Sequence, residues 1–233
     1  MTSVRDEHKN KIKHEAYSNL ERIMEEQEER LGIIHKDKPN LAFEVSNYDE
    51  RFFAVYTPEN DTINFNSKSL TCETDLIIYQ FINWLEGNEV ENYRIVLEHE
   101  LGHFYVDKLN ESLGKGNWPI FPDSKDRAGI IGLRIISEGI AEYFERTHTQ
   151  QLDLFTDSEW PNNLESYDAT DLPKFKWLIY GGGYHLVKPI IDSYGKNGIK
   201  YLMLNPPKND EITNLEKYQN KILQELKENK LGP

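Results

Sequence analysis

The chain has 233 residues, with 40 Asp and Glu against 27 Lys and Arg and a net charge of −13 at pH 7. An acidic balance of this kind argues against nucleic-acid binding, which needs a basic patch; it reads first as a solubilising surface and only secondarily as a preference for neutral or basic partners. The single cysteine, Cys72, excludes both an intrachain disulfide and a thiolate metal cluster. No apolar run approaches the roughly 18 residues of a membrane span, and residues 1–30 lack the apolar segment of a secretory signal. The expectation is a soluble, cytoplasmic protein with no membrane partner, and 38% hydrophobic residues are enough for a sizeable core.

Apolar residues at 16, 17, 20, 23, 24 and 31 recur near helical spacing among charges, which predicts a helix over 4–31 that Gly32 ends. His8, His14 and His35 lie in this polar stretch without paired ligand spacing and read as surface residues. Residues 1–35 read as a helical arm ahead of a single domain, 36–233. Three short β-prone segments follow, at 41–46, 52–57 and 62–66. The last two are joined by Pro58-Glu59-Asn60-Asp61, a turn cluster that predicts a hairpin. Alternation in Thr62-Ile63-Asn64-Phe65-Asn66 fits a half-buried or edge strand. Beside a cleft such an edge would offer its backbone to an extended peptide; a plain structural edge fits equally well. Residues 76–85 give another helix.

The next helix, about 90–112, contains His99-Glu100-Leu101-Gly102-His103, an H-E-x-x-H pattern. Positions four apart on a helix sit one above the other, so His99 and His103 can present two imidazole nitrogens to one metal ion. Glu100 lies one residue round, placed to take a proton from a metal-bound water. Gly102 lowers helix propensity, and its presence points to close packing at that turn. Asp107, one turn past His103, is carried away from the metal by helix curvature and reads as structural. In the irregular stretch 110–125, Trp118, Ile120 and Phe121 fit a substrate lid or a plug over the core.

A long helix returns over about 126–148 with Glu138 inside its apolar run. A carboxylate there needs a partner or a metal. His99, His103 and Glu138 would leave a fourth position for water, the pattern of a catalytic zinc site. Glu142, one turn on, would accept the second N–H of a ligand histidine. The competing arrangement pairs Glu138 and Glu142 with Arg134 and Arg146 as ordinary helix ion pairs. After a polar connection at 149–172 comes Tyr180-Gly181-Gly182-Gly183-Tyr184-His185. Tyr184 and His185, with Tyr180 beside them, are candidates to donate to a developing oxyanion; ordinary core packing is the alternative. Pro189 predicts a kink or a new helix start. The segment 198–204 ends at Pro206-Pro207, and 214–228 reads as an amphipathic helix with Leu215, Tyr218, Ile222 and Leu226 inward.

His99-Glu100-Leu101-Gly102-His103, Ser137-Glu138-Gly139-Ile140-Ala141-Glu142-Tyr143 and, more loosely, Tyr180-Gly181-Gly182-Gly183-Tyr184 running into Ser193-Tyr194-Gly195 resemble the gluzincins. These are zinc metallopeptidases whose third ligand is a glutamate on a second helix. The resemblance covers roughly residues 52–205. It implies an α+β, zincin-like fold: a small, mostly antiparallel sheet packed on a helical bundle, with the active-site helix lining the cleft. It also implies one zinc ion, a peptide or protein substrate, and Tyr184 as the tyrosine that stabilises the transition state. The expected activity is hydrolysis of peptide bonds by a metal-activated water with Glu100 as general base. Two readings compete with it: a non-catalytic zinc-containing binding or regulatory protein on a peptidase scaffold, and a helical interaction module carrying an accidental motif.

Overall fold

The computed structural model describes residues 4–32, 37–44, 54–66, 92–114, 127–145 and 177–229. The helix expected over 76–85, the aromatic loop beyond 114 and the connection at 149–172 lie outside the described residues. The elements are α1 (Val4–Leu31), β1 (Asn40–Glu44), β2 (Ala54–Thr57), a 3-10 turn (Pro58–Asn60), β3 (Thr62–Asn66), α2 (Asn92–Ser112) and α3 (Arg127–Glu145). A π-helical turn (Trp177–Gly182) then leads into α4 (Gly183–Leu204), followed by α5 (Asn209–Ile212) and α6 (Leu215–Glu228). The architecture is mixed α and β, mostly helical with a three-stranded sheet. None of the described helices is long and apolar enough to cross a membrane.

The turn cluster closes the hairpin as expected: Asp61, at a left-handed φ of 48°, donates its N–H to the Pro58 carbonyl at 3.4 Å. β2 and β3 pair antiparallel from Ala54 opposite Phe65 to Thr57 opposite Thr62. On the other side of β3, β1 runs parallel, from Asn40 beside Thr62 to Glu44 beside Asn66. Its start is set by the Asn40 N–H, which donates to the Asp61 carbonyl at 2.7 Å. The described sheet, ordered β1-β3-β2, is therefore mixed rather than mostly antiparallel, and β3 is its central strand rather than an edge. Alternation in five residues records which side chains are apolar; it does not count the neighbouring strands. Phe65 is fully buried and stacks on Phe43 of β1 with ring centroids 4.8 Å apart.

One apolar core joins Ala16, Leu20 and Ile23 of α1, Ile63 and Phe65 of the sheet, Leu97 and Leu101 of α2, Ile135 and Ile140 of α3, and Leu186 and Ile190 of α4. The segment read as an arm is thus built into that core. Tyr105 on α2 donates to the Met24 carbonyl at 3.3 Å, and Arg94 meets Glu26 at 2.9 Å. His14 is exposed. Tyr17, expected to face inward, is 49% exposed, and its hydroxyl donates to the Leu41 carbonyl at 2.6 Å.

α3 lies between α2 and α4. It packs tightly on α2 at Gly102 and Ala141, and on α4 at Gly139 and Gly183, where a Cβ on Gly139 would fall 2.5 Å from the Gly183 carbonyl. Pro189 sits inside α4, which bends at Gly195. A proline at 189 has no N–H for the His185 carbonyl four residues back. Gln219 of α6 takes that place: its Nε2 donates to the carbonyls of His185 and Leu186 at 2.6 and 2.8 Å. The last helix follows the sequence reading closely. Asn214 caps it by accepting from the Lys217 N–H at 2.9 Å, and Leu215, Tyr218, Ile222 and Leu226 are its buried face.

Candidate metal centre

α2 and α3 run antiparallel along the seam that holds the site: His103 meets Ser137 and Glu138, while His99 meets Glu138, Glu142 and Glu145. Two imidazoles converge on one carboxylate oxygen. His99 Nε2 is 3.5 Å and His103 Nε2 3.4 Å from Glu138 Oε2. Ligand atoms of all three lie within 4.8 Å of one another. A direct N–H···O bond prefers about 2.7–3.2 Å. By contrast, two ligand atoms about 2.05 Å from one tetrahedral ion stand about 3.3–3.4 Å apart. The two separations from Glu138 match such a tetrahedral edge, and two imidazoles with one carboxylate are a donor set that could hold that ion.

The other ring nitrogens are already engaged. His99 Nδ1 lies 3.0 Å from Glu145 Oε2, and His103 Nδ1 lies 3.0 Å from Ser137 Oγ. An ionised carboxylate can only accept, so Nδ1 of His99 carries a proton, which leaves Nε2, the nitrogen facing Glu138, as the one that would bind a metal. Glu142, expected in the accepting role, is 3.8 Å from His99 Nδ1, beyond hydrogen-bond reach. Seven residues bring a helical side chain back to within about 20° of its starting direction, whereas four leave it about 40° off. Glu145, at seven from Glu138, is therefore the better aligned of the two.

Electrostatics at the centre follow from burial and pairing. Burial raises the cost of charge on Glu138, but the imidazoles of His103 and His99 more than offset it and hold the carboxyl below the usual carboxylate range. For His99, burial disfavours the cation, yet the carboxylates of Glu138 and Glu145 outweigh it and raise the imidazole pKa. Bound metal would replace that proton as the positive partner.

Glu100 is buried, and its Oε2 accepts the backbone N–H of Tyr56 at 2.7 Å. Asp107 is also buried and accepts from the Tyr56 hydroxyl at 3.1 Å. Tyr180, on the π-helical turn, places its ring centroid 6.2 Å from that of His99. Burial, and then the carboxylates of Glu138, Glu142 and Glu100, push its hydroxyl pKa upward, so the group stays a neutral donor. Tyr184, one turn further, packs its ring on His185 at 5.6 Å. Sequence reading missed Ser137, Glu145 and Tyr56 as partners of the site; of these, only the helical phase of Glu145 was a usable signal.

No family model matches the chain, and neither a curated protein nor a solved structure does.

Proposed function

We propose that this chain is a zinc-dependent metallopeptidase of the gluzincin type, with a zincin-like arrangement of sheet and active-site helix and with His99, His103 and Glu138 as the metal ligands. The observation that supports it most is the pair of separations, 3.5 and 3.4 Å, from two Nε2 atoms to a single Glu138 oxygen. When bound, zinc supplies Lewis acidity, which acidifies a water and polarises a carbonyl.

The remaining chemistry belongs to the chain. Glu100 accepts the proton of the attacking water and returns it to the leaving amine. Tyr180, kept protonated by burial and by the surrounding carboxylates, donates to the oxyanion of the tetrahedral intermediate. Its contact with His99 puts it ahead of Tyr184, the tyrosine implied by the family resemblance. Glu145 and Ser137 hold the two imidazoles in orientation.

The test is cleavage of a mixed peptide library by zinc-reconstituted protein, read by mass spectrometry. Cleavage is expected to stop with chelator and with Glu100→Gln, the variant keeping its zinc. Equal cleavage by Glu100→Gln contradicts the proposal. Stoichiometric zinc with no cleavage by the wild type contradicts it as well, and favours a zinc-containing binding protein.

A further inference from the structure

Opposite ends of one buried tyrosine engage two acids on α2. Tyr56, 2% exposed on β2, donates its backbone N–H to Glu100 Oε2 at 2.7 Å. Its hydroxyl lies 3.1 Å from Asp107 Oδ2 and 2.8 Å from Asp61 Oδ1. Lys108 Nζ, 2.6 Å from Asp61 Oδ1, supplies the countercharge there. Glu100 and Asp107 are seven residues apart, two helical turns or about 10.5 Å along the axis. Tyr56 therefore lies lengthwise on α2. Its N–H is available for this because β2 pairs with β3 on one side alone among the described residues, and residues opposite each other in an antiparallel pair alternate in using their N–H groups.

We propose that Tyr56 is a positioning residue for the general base: the N–H end fixes the Glu100 carboxylate, and the hydroxyl end anchors the tyrosine on Asp107 and the hairpin turn. This inference rests on the reading of Glu100 as base and adds what holds it in place. A glutamate side chain has several rotatable bonds and loses substantial freedom when fixed. A charge-assisted bond of 2.7 Å to a rigid strand removes that freedom for one oxygen and leaves Oε1 to receive the proton. Displacements of about 1 Å at a reacting group can cost on the order of a hundredfold in rate. Tyr56 acting only as core packing would alter stability and leave turnover of the folded enzyme unchanged.

The first readout needs neither metal nor activity. In the full chain labelled with 15N-tyrosine, the Tyr56 amide proton should resonate downfield. Glu100→Ala should move it upfield and speed its exchange with solvent, and Glu100→Gln should move it part of the way. The second readout is turnover by the zinc-loaded enzyme with the Tyr56 amide replaced by an ester, through the α-hydroxy analogue of tyrosine. There kcat should fall about 10- to 100-fold while KM and zinc content stay unchanged. Tyr56→Phe, which keeps the N–H, should lose less. An amide resonance that responds to neither Glu100 variant overturns the proposal, as does an ester variant with undiminished kcat. If the ester variant does not fold, the resonance shifts decide. A loaded wild type that cleaves no peptide, with those shifts intact, refutes the peptidase reading and leaves the contact standing.

Discussion

A side chain on Gly102 would have to occupy the space of Ala141: a Cβ built there falls 2.6 Å from the Ala141 Cα. This crossing lies one residue before His103 and three after Glu138, so it sets the distance between the imidazole pair and the carboxylate they share. Gly102→Ala should force α2 and α3 apart, destabilising the fold by about 1–3 kcal/mol. Zinc affinity should fall with it. Urea midpoints and competition with a chromophoric chelator measure the two effects, and unchanged zinc affinity would contradict the argument.

Glu145 and Glu142 separate two versions of the support behind His99. With Glu145 Oε2 at 3.0 Å and Glu142 Oε1 at 3.8 Å from Nδ1, Glu145→Gln should weaken zinc binding about 10- to 100-fold and Glu142→Gln by much less. Chelator competition on the two variants decides it; the opposite ranking restores Glu142 to the role that helical spacing suggested for it.

Gln219 compensates for the N–H that Pro189 lacks. Gln219→Leu would leave the His185 carbonyl without this donor and should destabilise the protein by about 1–3 kcal/mol. Urea denaturation checks this. Pro189→Ala supplies an N–H at the same place, so in that background the cost of Gln219→Leu should shrink.

Glu98 makes metal-free stability depend on pH. It is 0% exposed, its Oε1 receives the Arg94 Nε at 2.6 Å, and its Oε2 has no hydrogen-bond partner among the described residues. Burial pushes its carboxyl up from 4.5 to about 7, against the pull of Arg94. Since the folded value lies above the unfolded one, the folded state holds the proton more tightly. The stabilisation is full below about pH 4.5 and is lost as pH rises through about 7. Glu98→Gln should flatten that decline in urea midpoints of the metal-free protein; a wild-type profile rising over this window through Glu98 would contradict it.

The convergence of His99, His103 and Glu138 was legible because a helix turns sequence spacing into direction, and because an acid in an apolar run of α3 needs a partner. The helix end at Gly32 and the buried stripe of α6 were legible for the same local reasons. The sheet order was not. That β1 adds parallel on the far side of β3 is a long-range pairing with no mark in either strand. The acceptor behind His99 depends on where α2 crosses α3, which neither helix specifies alone. At Tyr180, the π-helical turn breaks the count of 3.6 residues on which face assignments rest. Tyr56 reaches Glu100 through its backbone, and side-chain identity does not reveal which strand N–H is left unused by a ladder.

Anomalous diffraction at the zinc edge, from crystals of the zinc-reconstituted protein, locates the metal relative to the three proposed ligands. One peak is expected, about 2.0–2.2 Å from each of His99 Nε2, His103 Nε2 and a Glu138 carboxylate oxygen. A peak at any other place, or a Glu138 side chain turned away from the peak, would contradict it.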